Sequence, residues 1–156
     1  MQVRHILELK GETVFSIGPD DKLVDAVGLM VEHDSGSLVV MRGEEVAGML
    51  TFREVLAELQ RRGGSLGEAR VSDIQLGPPV ATSPDDTVDA LRQRMIDHHV
   101  RYLPVMEGER LLGVLSFRDV ARAVIKQTNF ENRLLKSYIR NWPEDDDVSS
   151  EPRPNA

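Results

Sequence analysis

Adding 65 to a residue number in the first half of this chain lands on its counterpart in the second. Pro19-Asp20-Asp21 falls on Pro84-Asp85-Asp86, Met30 on Met95, His33 on His98, Leu38 on Leu103, Val40 on Val105, Gly43 on Gly108 and Gly48 on Gly113. From Met30 to Val55 the register holds without insertion. Ahead of it the apolar beat Leu23, Ala26, Met30 matches Val88, Leu91, Met95, and only Asp25-Ala26 against Asp89-Ala90 slips by one place. Such regularity means one supersecondary unit duplicated, and two copies make a pseudo-symmetric pair, since a solenoid needs at least three repeats. A unit of about 60 residues is marginal alone, so the halves are expected to share a core.

Each copy spells β-α-β-β-α, an α/β (α+β) arrangement. Thr13 to Ile17 and Val80 to Thr82 read as short opening strands, and helices follow from Lys22 to Asp34 and from Thr87 to His99. Asp86 with Asp89 three places on is the expected cap of the second. Ser37 to Met41 and Tyr102 to Met106 are strands rich in β-branched residues, turned by Arg42-Gly43-Glu44 and Glu107-Gly108-Glu109. Return strands Glu45 to Thr51 and Arg110 to Ser116 run into helices expected to end near Arg62 and Gln127. Val3, Ile6 and Leu7 give the N-terminus one short amphipathic helix ending near Gly11, whose counterpart is Val71-Ser72-Asp73-Ile74. The expected layout is a first repeat at 3–62, a linker at 63–70 and a second repeat at 71–127. A C-terminal amphipathic helix at 128–142 and a disordered acidic tail at 143–156 complete it. Gly63-Gly64-Ser65-Leu66-Gly67 lacks both the glycine-lysine ending and the preceding strand of a phosphate loop, so it reads as a connector. Phe130, Leu134, Leu135, Tyr138, Ile139 and Trp142 form an apolar stripe that needs a cover, either this domain or a second subunit.

The chemistry-bearing stretches are Gly48-Met49-Leu50-Thr51-Phe52-Arg53-Glu54 and its twin Gly113-Val114-Leu115-Ser116-Phe117-Arg118-Asp119. In each, a buried strand ends at a hydroxyl residue that opens a helix, with a carboxylate at its third position. That is the capping-box pattern. A helix N-terminus also offers free N–H groups and positive potential to an anion. The structural reading, capping alone, and the functional one use the same atoms.

Composition removes several function classes. The chain has no cysteine, hence no disulfide, thiolate nucleophile or Cys-ligated zinc. No apolar run approaches the ~20 residues of a membrane span, and the N-terminus carries no signal-peptide pattern, so a cytoplasmic protein without membrane contact is expected. Much of the formal charge of −7 lies in the tail, where Glu144, Asp145, Asp146, Asp147 and Glu151 face a single Arg153. With no basic stripe the chain is no nucleic-acid binder. His98 and His99 point about 100° apart on a helix, and no metal-ligand spacing involves them or His33. Met30, Met41, Met49, Met95 and Met106 suit core packing. No serine, histidine and carboxylate set suggests nucleophilic catalysis, so no catalytic residue and no enzyme activity are expected.

Leu103-Pro104-Val105, the glycine hairpin and Gly113 to Asp119, all in duplicate, resemble a tandem pair of cystathionine β-synthase (CBS) domains of the small stand-alone signalling type. The likeness spans residues 3–127, about four fifths of the chain. It implies a Bateman-type α/β module, usually a homodimer, that binds AMP, ADP, ATP or NAD as a regulatory ligand and signals to an as yet unidentified protein partner. It further implies two clefts, each joining the hydroxyl and carboxylate of one repeat to the strand-leading loop of the other. One would unite Ser35, Gly36 and Ser37 with Val114, Ser116, Arg118 and Asp119. The second and weaker would unite Met49, Thr51, Arg53 and Glu54 with Pro79, Val100, Arg101 and Tyr102. The hydroxyl would reach phosphate and the carboxylate the ribose hydroxyls, and arginine adds a bidentate charged contact. Glu54 stands where the family has aspartate, and Val39 where Pro104 stands in the other copy, so the Ser116 and Asp119 cleft carries most weight. The alternative is a structural or dimerisation module with empty clefts.

Overall fold

Two β-hairpins of identical register frame the protein. The computed structural model describes residues 1–11 and 13–140. Strand β2 (Ser37–Arg42) pairs antiparallel with β3 (Glu45–Thr51), placing Ser37 opposite Thr51 and Val40 opposite Gly48. β4 (Tyr102–Glu107) pairs with β5 (Arg110–Ser116), placing Tyr102 opposite Ser116 and Val105 opposite Gly113. Even the irregularities correspond, between Val40 and Met41 in one hairpin and Val105 and Met106 in the other. Gly43 and Gly108 make the turns at φ of 63° and 61°, where a side chain would be strained.

The two opening strands differ. β1 (Ser16–Ile17) adds in parallel to β2. Its counterpart shrinks to one bridge, Thr82 with Val105, where Thr82 N–H donates to Pro104 O at 3.0 Å and Thr82 O accepts from Met106 N–H at 2.8 Å. Pro78 and Pro79, just upstream, have no N–H to extend the ladder.

Helix α2 (Leu23–Glu32) buries Leu23, Ala26 and Met30 at helical spacing, and α4 (Val88–His98) buries Val88, Leu91 and Met95. With Leu38, Val40, Leu50 and Val55 the first set forms the core of the first repeat. α4 is capped one residue later than the sequence suggests. The Thr87 hydroxyl accepts from Ala90 N–H at 3.0 Å, while Asp86 turns back to Ser83 N–H, the Thr82 hydroxyl and Arg94. α3 (Phe52–Arg61) ends on the buried carboxylate of Glu58, which Arg61 and Arg62 clamp and hold at a pKa of about 2.

The expected break near Gln127 is absent. α5 is one helix, Phe117–Arg140, because no glycine or proline interrupts it. The first compact unit is Met1–Ala121, so it includes the first turn of α5, and a second begins at Arg122. Within the second, Ile125, Phe130, Leu134, Leu135 and Ile139 are exposed apolar side chains. Trp142 and the acidic tail lie outside the described residues. Among those described, no helix is long and apolar enough to cross a membrane.

The repeats exchange their lead-ins. α1 (Val3–Lys10) belongs in sequence to the first repeat but docks on the second: Val3 N–H donates to Asp86 O at 2.9 Å, Arg4 N–H to Pro84 O at 3.1 Å, and Val88 N–H to Met1 O at 3.1 Å. In mirror fashion Val71 N–H donates to Asp21 O at 2.9 Å, Ser72 N–H to Pro19 O at 2.8 Å, and Leu23 N–H to Ala69 O at 2.8 Å. Val3, Ile6, Ala69 and Val71 are buried by this exchange, so neither repeat keeps its core without the other.

Candidate functional site

Both hydroxyl and carboxylate pairs are closed capping boxes. Ser116 N–H donates to Asp119 Oδ2 at 2.8 Å, the Ser116 hydroxyl lies 2.9 Å from the same oxygen, and Asp119 N–H donates to Ser116 Oγ at 3.1 Å. Thr51 N–H likewise donates to Glu54 Oε2 at 2.8 Å, and the Thr51 hydroxyl contacts that oxygen. The extra methylene of Glu54 is thus absorbed by folding back on Thr51, and its carboxylate stays at the helix mouth. A carboxylate accepts about four hydrogen bonds, so capping leaves room for a ligand at either helix.

What differs is the neighbour. Lys10, at the end of α1, puts its ammonium 2.6 Å from Asp119 Oδ2 and 2.6 Å from Val114 O. Beside it a Cβ added to Gly113 would come within 2.8 Å of Leu7 Cδ2, so α1 lies directly against β5. Burial alone would raise the Asp119 pKa, but the Lys10 ammonium and the Ser116 N–H and hydroxyl outweigh it and hold the carboxyl below its usual range. Arg118 is exposed. The partner loop is held locally, its Ser35 hydroxyl donating to Ser37 O at 3.0 Å. Among the described residues no hydrogen bond joins Ser35, Gly36 or Ser37 to Ser116 or Asp119; Lys10 is the group that sits on the carboxylate. Lys10 was not singled out by the sequence.

At the other helix a cavity of about 1130 Å³ opens between the repeats. Met49, Thr51, Arg53 and Glu54 line it from the first repeat, and Pro79, Val100, Arg101 and Tyr102 from the second, all eight residues of the second cleft. The sequence missed Gln75, Leu76, Gly77 and Pro78, the lead-in of the second repeat, and the walls Phe52, Ile96 and Phe117. His98 and His99 also face this cavity, His99 in a left-handed conformation at φ 53° that ends α4. The carboxylate of Glu54 has no ion-pair partner among the described residues and is the only acidic group lining the space, against Arg53, Arg101 and the two histidines. Arg101 stands over the Phe52 ring, 5.9 Å from its centroid, a cation–π contact that orients the guanidinium at the helix mouth.

Gly36 and Tyr102 join the two clefts. Any Cβ on Gly36 would run into the Tyr102 hydroxyl and approach Phe52 Cδ1 to 3.1 Å. The loop leading β2 and the first residue of β4 are therefore in contact, and Tyr102 forms a wall of the open cavity. His33 stands apart, stacked on Phe15 with centroids 3.9 Å apart. No group of three or more metal-ligating side chains occurs among the described residues.

Comparison with known proteins identifies the family. The chain matches the CBS domain family over residues 8–61 and again over 71–126. It is 33% identical over 126 residues to the CBS domain-containing protein CBSX3, mitochondrial, of Arabidopsis thaliana, covering 78% of this chain and 61% of that one. It is 27% identical over 108 residues to the CBS domain-containing protein YhcV of Bacillus subtilis, covering 69% and 76%. Among solved structures it superposes on a putative signal-transduction protein with CBS domains from Burkholderia ambifaria with a TM-score of 0.76. That match has 29% identity and covers 81% of this chain and 95% of that one.

Proposed function

The chain belongs to the CBS-domain family, and from that premise we propose that it is a non-catalytic regulatory module whose open cleft binds an adenine nucleotide, AMP, ADP, ATP or NAD. The observation that carries the reading is the cavity at the start of α3. There the hydroxyl of Thr51, the carboxylate of Glu54, two arginines and apolar walls from both repeats converge. Each part suits one portion of a ribonucleotide. Arg53, Arg101 and the positive end of α3 attract phosphate. Glu54 has acceptor capacity for two vicinal ribose hydroxyls, and the walls of Met49, Ile96 and Val100 offer apolar surface to a purine. Because the cavity takes residues from both repeats, occupancy changes how the repeats pack, and a module of this kind signals through such differential affinity. The exposed apolar stripe of α5 fits a homodimer or a protein partner that reads the change.

Thermal unfolding in the presence of each nucleotide tests this. A ligand at 100 times its Kd adds about 2.7 kcal/mol of stability, an upward Tm shift of several degrees. No shift with AMP, ATP, NAD or S-adenosylmethionine would favour a dimerisation module with unused clefts, and chromatography showing altered nucleotide after incubation would make the protein a hydrolase instead.

A further inference from the structure

The helix start at Asp119 has the same capping box as the one at Glu54, but α1 sets a lysine against its carboxylate. We propose that Lys10 is a tethered cation that keeps this second cleft shut, so that each chain takes one nucleotide at Thr51 and Glu54 and a second only when the end of α1 lifts away. The inference rests on the nucleotide reading above.

Three observations carry it. First, the Lys10 ammonium sits on the carboxylate a bound ribose would use, 2.6 Å from Asp119 Oδ2, and is held there by Val114 O, also at 2.6 Å. Second, the backbone anchors of α1 on the second repeat lie at its N-terminal end. Val3 and Ile6 are buried and the backbone bonds to Pro84 and Asp86 lie in its first turn, whereas Glu8, Leu9 and Lys10 are exposed and Gly11 follows at φ 89°, a conformation open mainly to glycine. The last turn can therefore lift without exposing the core. Third, the pseudo-symmetric lead-in lacks the device. Leu76 lies against Gly48 as Leu7 lies against Gly113, but the chain then departs through Gly77 and Pro78, bringing no cation to Glu54, and the cavity there is open. Closure is thus a property of the segment after Leu7 and not of the fold. The ion pair is partly solvated, with 33% and 18% of its side chains exposed, so it is of modest strength and a ligand can compete with it. A closed site reduces apparent affinity by the fraction of open molecules.

Isothermal titration with AMP, ATP and NAD as probes decides the matter, using the full chain and the variants Lys10→Met and Lys10→Gln. The expected result is one equivalent bound per wild-type chain and two per chain of either variant, with the second equivalent lost again when Asp119→Asn is added. One equivalent in all proteins, or two of the same affinities in wild type and variants, overturns the gate and leaves the nucleotide reading intact. No binding of any probe by wild type or variants overturns the nucleotide reading and the gate together.

Discussion

The clefts at Thr51 and at Ser116 are built from the same hairpin, the same helix start and the same capping box, yet one opens on a cavity and the other carries an ammonium group. The difference lies outside both motifs, in the lead-ins. The lead-in of the first repeat stays helical for eight residues and carries Lys10 to Asp119. That of the second makes a single 3₁₀ turn, Val71–Asp73, and leaves as Gly-Pro-Pro. Duplication supplied two equivalent helix starts, and the short segment preceding each repeat lies against the return strand of the other.

The largest expected effect probes how firmly each lead-in is held. Ile6 is 2% exposed, while Ile74, its counterpart, is only partly buried. Ile6→Ala should cost about 2–4 kcal/mol, in the range for buried aliphatic truncations, and Ile74→Ala clearly less. Urea denaturation of the two variants measures this, and equal losses would mean that the lead-ins are equivalent after all.

Next in size is the contact between the two clefts. Gly36→Ala must displace the Tyr102 ring and crowd Phe52, an overpacking worth about 1–3 kcal/mol. Gly113→Ala meets only the end of the flexible Leu7 side chain, at 2.8 Å, and should cost less than about 1 kcal/mol. Thermal unfolding ranks the pair, and a Gly113 variant as unstable as the Gly36 variant would show that α1 cannot yield over β5.

Much of this was legible in the chain. The interval of 65 residues fixes both hairpins, both bulges and both capping boxes, because strand pairing and helix starts are set by local pattern. The eight residues assigned to the second cleft line one cavity for the same reason. The exchange of lead-ins was hidden: Val3 and Val71 match at an interval of 68, outside the main register, and their partners lie across the other repeat. Lys10 meets Asp119 across 109 positions, and a lysine ending a short amphipathic helix carries no local mark of that contact. The weight that the sequence put on Asp119 over Glu54 followed the length of Glu54 and the loss of a proline at Val39, and neither expresses the Lys10 ammonium that sits on Asp119.

A third effect is read in binding. Glu54→Gln removes the charged acceptor from the open cavity and should weaken AMP about tenfold, equivalent to about 1.4 kcal/mol, within the worth of a hydrogen bond to a charged group. Asp119→Asn in the wild-type background should weaken it less, because Lys10 already holds that carboxylate. Titration of both variants checks the order, and a greater loss at Asp119 would restore that cleft as the main site.

The smallest effect is a pH dependence confined to one side of the comparison. The Asp119 carboxyl is held below its usual pKa of 3.8 against the opposing effect of burial. A group depressed in the folded state stabilises it fully above the unfolded value and loses that contribution as pH falls through the lower, folded one. Stability from the Lys10 pair should therefore be complete above about pH 5 and fade in more acid solution. Lys10→Met removes the ammonium that lowers the pKa while leaving the burial that raises it. Its Asp119 carboxyl, followed by carbon-detected NMR, should titrate at higher pH than in wild type, and the acid limb of its unfolding curve should move the same way. An unchanged titration would mean that the Ser116 capping box alone sets the charge of Asp119, leaving Lys10 a bystander at the cleft.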